Sequence, residues 1–76
     1  MSNSILRSAL KRYPKHDIEA ALSRPTGGED NYPREGVAAI GGFTTQGLPI
    51  VILQDMETGV VFHAQKAERK YDFLFS

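Results

Sequence analysis

The sequence predicts an α+β domain, with two short N-terminal helices packed on one face of a three- to four-stranded antiparallel β-meander. Three observations carry that expectation. Apolar residues of helical period run from Ile5 to Tyr13, and a nearly unbroken β-branched run covers 48–54. Between two apolar segments, Asp55-Met56-Glu57-Thr58-Gly59 is a dense turn signal.

The first helix is predicted over 4–13, where Ile5, Leu6, Ala9, Leu10 and Tyr13 make one stripe. Ser2, Asn3 or Ser4 supplies the N-cap oxygen, and Pro14 ends the helix by biasing Tyr13 away from the α region. A second helix fits 16–23, with Ile18, Ala21 and Leu22 on one face and Asp17 and Glu19 in the first turn, where negative charge suits the helix dipole. Residues 24–36 hold two prolines and three glycines and almost no aliphatic carbon, which reads as a long loop.

The remainder reads as β. Strands are expected at 37–43, 48–54, 60–65 and 71–75. Gly41-Gly42 breaks the first of these and signals a bulge or a close backbone approach. The second is apolar enough to be covered on both faces, with Pro49 tolerated at its entry. Gly59 in the left-handed region closes the hairpin into the third, in which Val60, Phe62 and Ala64 are expected to face the core and Val61, His63 and Gln65 to face outward. Fifteen Ile, Leu and Val residues and seven aromatics suffice for one small core, so the 76 residues form a single domain.

Composition narrows the function classes. Nine Lys+Arg balance nine Asp+Glu, which excludes a generally basic nucleic-acid coat; a 41% hydrophobic content excludes a charge-driven disordered chain. With no cysteine there is no disulfide scaffold, thiolate zinc site or cysteine nucleophile. No apolar run approaches the ~20 residues of a membrane span, and the N-terminus lacks the basic-then-apolar order of a signal peptide, so the expected location is the cytoplasm.

No catalytic set emerges. His16 and His63 fall on different elements, and the bland reading of each is a solvated histidine. Glu29, Asp30 and Glu35 lack the spacing of a calcium loop, and neither glycine pair leads into a helix as a phosphate cradle requires. The expectation is therefore no catalytic residue, no metal and no cofactor.

Protein binding has the best support. Tyr71, Phe73 and Phe75 alternate along the expected last strand, which would be an unguarded edge open to strand addition by a partner or a second copy; the competing reading buries them in the core. Tyr32 beside Glu29 and Asp30 is an aromatic next to charge, a composition common at interfaces. The sequence thus reads as a non-catalytic adaptor or inhibitor of another protein, a job that would suit a phage or mobile-element product, with homodimerisation through the last strand as one mode. The alternative is a nucleic-acid binder using Arg7, Lys11, Arg12 and Lys15, because residues 1–25 carry five basic against two acidic side chains. Against it, Pro14 stands where a helix-turn-helix usually has glycine, and Asp17 and Glu19 would open the recognition helix.

Overall fold

β-Strands β1 (Gly27–Asp30), β2 (Val37–Phe43), β3 (Pro49–Asp55) and β4 (Val61–Lys66) form one sheet in the order β1-β2-β3-β4, every neighbouring pair antiparallel, in a computed structural model that describes residues 5–75. Helix α1 (Lys15–Ser23) packs on one face, and a C-terminal 3-10 helix (Arg69–Leu74) packs on the other. The meander and the α+β class agree with the sequence; the pair of helices on a single face does not.

The predicted first helix is reduced to a 3-10 turn, Ala9–Lys11. Its expected start at Ser4 and the N-cap candidates before it lie outside the described residues. From Ile5 onward the chain takes the edge of β4 as its hydrogen-bond partner. Ile5 pairs in parallel with Val61, the Leu6 N–H donates to the Val61 carbonyl (2.8 Å), and the Ser8 hydroxyl donates to that of Phe62 (2.6 Å). A lone helix of ten residues is marginal in water, so a sheet edge that satisfies the same backbone groups competes well. Ala9 still reaches the core, fully buried beside Ile18 and Val61.

The last strand is also overturned. Residues 69–74 coil as a 3-10 helix, with the Tyr71 N–H on the Glu68 carbonyl (2.8 Å) and the Phe75 N–H on that of Asp72 (3.0 Å). Three residues per turn put Tyr71 and Leu74 on one face, and both are buried against the sheet. The same five residues that alternate for a strand also satisfy this spacing of three, and burial of the 71/74 pair decides between them.

The fourth strand comes instead from the expected loop. β1 pairs Gly27 with Gly41 through to Asp30 with Ala38. It has no aliphatic residue, so no hydrophobic pattern announces it. Asn31 turns the chain back at φ 58, its side-chain oxygen accepting from the Gly36 N–H (2.9 Å).

β3 is one of the two interior strands. Ile50 and Ile52 face α1 with Ile18, Ala21, Val61 and Ala64, while Val51 and Leu53 face the C-terminal side with Val37, Ala39, Tyr71 and Leu74. Gly41 and Gly42 explain how both layers come so close. A Cβ on Gly42 would lie 2.7–2.9 Å from the Ala21 backbone and Cβ, and one on Gly41 would lie 2.9 Å from the Leu74 Cβ. Successive strand residues face opposite ways, so each glycine admits one helix.

At the end of β3 the carboxylate of Asp55 accepts from the N–H groups of Glu57 (2.8 Å) and Thr58 (2.9 Å), and Gly59 adopts φ 78. β4 then carries a bulge. Leu53 pairs with His63 but Gln54 with Val61, which leaves Phe62 as the extra residue. The bulge shifts the phase of the strand, so Val61 and Ala64 are buried on the α1 side and Phe62 turns to the other. The expected inward set of Val60, Phe62 and Ala64 is corrected accordingly.

Two carboxylates give the fold an acid-sensitive component. Asp17, nearly buried at the start of α1, accepts from the Thr45 hydroxyl (2.6 Å) and N–H (3.1 Å). The Thr45 hydroxyl chiefly lowers its pKa from 3.8, against a smaller opposing effect of desolvation; the Thr45 N–H and neighbouring His16 lower it further. The Thr58 and Glu57 N–H groups lower that of Asp55. A carboxyl whose folded pKa is depressed stabilises the fold above its unfolded value, and that contribution disappears as pH falls through the folded one. The melting temperature should therefore drop as pH is taken below 3.8 through these groups. Melting curves between pH 2 and 7 for the wild type and for Asp17→Asn with Asp55→Asn check this, the double variant starting lower at neutrality and showing the flatter profile.

Candidate protein-binding groove

The residues expected to bind a partner divide in the structure. The Tyr32 ring meets Tyr71 edge-on (centroids 5.8 Å apart) and Phe73 likewise (5.3 Å), so three aromatics from the turn after β1 and the C-terminal helix do come together. Tyr71 is only 1% exposed and belongs to the core. Phe75 is half-buried and packs on Phe43 (5.7 Å). Phe73 remains 47% exposed, and Glu29 and Asp30 stand exposed on β1, the outer strand of the sheet. Because Arg69–Leu74 is a 3-10 helix, the expected dimerisation through a strand at 71–75 has no support in the structure.

The basic residues of the alternative reading, Arg7, Lys11, Arg12 and Lys15, are all exposed. The helix meant to present three of them together is absent, so the two-helix arrangement resembling a helix-turn-helix is not formed. Arg12 instead lines a depression of 310 Å³ beside β4 with His63, Gln65, Lys66 and Glu68. There the His63 Nε2 lies 3.0 Å from the Gln65 side-chain oxygen, and the Gln65 amide donates to Glu68. His16 sits on α1 with its Nε2 3.6 Å from the Asp17 carboxylate, on a different element from His63 of β4. Among the described residues no three His, Asp or Glu side chains gather as metal ligands would, and no helix is long and apolar enough to cross a membrane.

One concavity was not foreseen. It is an open groove of about 850 Å³ between the β1–β2 and β3–β4 turns. Leu6, Val37, Met56, Val60 and Phe62 supply its apolar lining, and Arg34, Glu35, Asp55 and Glu57 its charges. Each arrives for a local reason. The Asp55 turn projects Met56 outward, leaving it 43% exposed, and the bulge in β4 swings Phe62 to this side. Pairing of the N-terminal segment with Val61 leaves Leu6 48% exposed at the rim. The Arg34 guanidinium lies over the Phe62 ring (5.9 Å).

The walls are braced. The Met56 N–H donates to the Gly36 carbonyl (3.0 Å), tying one turn to the other, and the Asp55 carboxylate is spent on holding its own turn. The lining carries three carboxylates and one guanidinium, so the groove favours a cation. Of these residues only Met56 left a trace in the sequence, as an apolar side chain inside an otherwise polar turn. The positions of Leu6 and Phe62 depend on a strand bridge and a bulge, which pattern alone does not encode.

No family profile matches the chain, and neither a curated protein nor a solved structure matches it.

Proposed function

We propose that this chain is a non-catalytic protein-binding module, an adaptor or inhibitor that receives a short segment of its partner in the groove between the two turns. The observation that carries this reading is the groove itself, an apolar concavity with exposed Leu6 and Met56 at its rim and a hydrogen bond holding its walls together. A preformed site costs little ordering on binding, and its volume falls in the range that accepts one or two large side chains. The charge balance specifies the segment further. An aliphatic or aromatic side chain next to Lys or Arg would fill the floor and meet Glu35 and Glu57. Tyr32, which packs in the same cluster as Phe62, and Phe73 against its ring are the further aromatics expected to touch the partner.

Selection from a displayed library of random peptides tests the proposal. The enriched peptides should pair a large apolar residue with a cation and should shift the amide resonances of 34–36 and 55–60. Leu6→Asp and Met56→Asp alter exposed side chains, so both variants should fold and each should weaken such a peptide by about tenfold or more. Peptides that shift only residues elsewhere, or affinity untouched by both substitutions, would refute this site.

A further inference from the structure

The sheet ends on β1 at one side and β4 at the other, and each has four residues that pair with one neighbouring strand. β1 is four residues long, exposed from Gly28 to Asp30, and pairs only with β2. β4 is covered at Val61 and Phe62 by the N-terminal segment, which leaves 63–66 facing the depression lined by Arg12, Gln65, Lys66 and Glu68. A sheet edge presents unpaired N–H and C=O groups, and a second strand is their natural partner.

The charges of the two edges are opposite. Glu29 and Asp30 are the charged side chains of β1. The edge at β4 carries Lys66 with Arg12 beside it, while Glu68 is engaged by the Gln65 amide. Among the described residues none of Glu29, Asp30, Arg12 or Lys66 has an ion-pair partner within 4 Å.

Topology removes the remaining obstacle. In an antiparallel meander with an even number of strands, the first and last strands run in opposite directions. Two copies placed side by side in the same orientation therefore bring β4 of one against β1 of the next as an antiparallel pair. The register setting Gly28 opposite Lys66 keeps like faces together and places Asp30 diagonally from Lys66, within reach of a long side chain.

We propose that copies of this chain associate head to tail, β4 of one on β1 of the next, into a continuous antiparallel sheet. The contact is heterologous, so it propagates along a row of copies rather than closing as a symmetric dimer. It uses neither the groove nor the turns that form it.

Sedimentation velocity of the full chain across a concentration series, at low and at high salt, tests the proposal. The average mass should rise with concentration and fall as salt is added, because the edge charges are exposed and screened. Glu29→Lys with Asp30→Lys, and separately Arg12→Glu with Lys66→Glu, should each weaken association by about tenfold or more. Mixing the two variants restores opposite charges across the contact and should restore association. A wild-type chain that stays monomeric throughout, or association that neither variant alters, overturns the proposal, as does a mixture no better than its components. Circular dichroism of each variant shows that the fold is retained.

Discussion

Tyr71→Ala should remove a third or more of the stability of this domain. The ring is 1% exposed, packs with Val37, Ala39, Val51, Leu53 and Leu74, and meets Tyr32 edge-on. Truncating a buried aromatic to alanine costs about 3–5 kcal/mol, and a chain of this size holds about 4–11 kcal/mol in all. Urea denaturation followed by circular dichroism should show the midpoint falling by a third or more. Phe73→Ala, two residues along in the same 3-10 helix, should cost under about 1 kcal/mol, because that ring is 47% exposed. A strand at 71–75 would put both rings on one face and predict similar losses. The contrast therefore tests the helical C-terminus as well as the core, and equal losses would argue against it.

The second large effect belongs to Gly42. Even a methyl group there would come within 2.7 Å of the Ala21 carbonyl oxygen and 2.9 Å of its Cα. Those are backbone atoms of α1, so relief requires the helix to lift off the sheet. Overpacking typically costs about 1–3 kcal/mol; Gly42→Val, with two further methyl groups, belongs at or above the upper end. At about 4–8 °C per kcal/mol for a domain of this length, the melting temperature should fall by about 12 °C or more. Gly28→Ala is the control. A Cβ at that position meets only the Ala39 carbonyl oxygen, at 3.6 Å, an ordinary contact, so its melting temperature should stay close to that of the wild type.

What the sequence makes legible follows from the range of the interactions involved. α1 and β3 carry their signals within themselves, as an apolar stripe between two prolines and as a β-branched run. The Asp55–Gly59 turn is closed by local bonds, from Asp55 to residues up to five positions on; a long-range bond, from Met56 to Gly36, ties the finished turn to its neighbour. The Gly41-Gly42 pair announces a close approach without saying what approaches. Elements that depend on distant partners read differently. Residues 5–8 have a helical pattern, but their backbone is claimed by β4, more than fifty positions away. β1 is made wholly by pairing with β2, and the C-terminal segment fits two periodicities until burial selects one. The groove suffers most from this. Leu6, Phe62 and Arg34 meet only because a bridge, a bulge and a turn coincide, so a reading of residue types finds the aromatics of Tyr32 and Phe73 but misses the concavity.

β3 lends side chains alternately to two packing layers, with Ile50 and Ile52 in one and Val51 and Leu53 in the other. Neither layer owns a strand of its own that could persist without its counterpart. Stripping away α1 would wet one side of β3, and losing the C-terminal helix would wet the reverse. The chain consequently has no half that can melt first and wait for the rest, and it should come apart in one cooperative event despite holding two separate clusters of buried carbon.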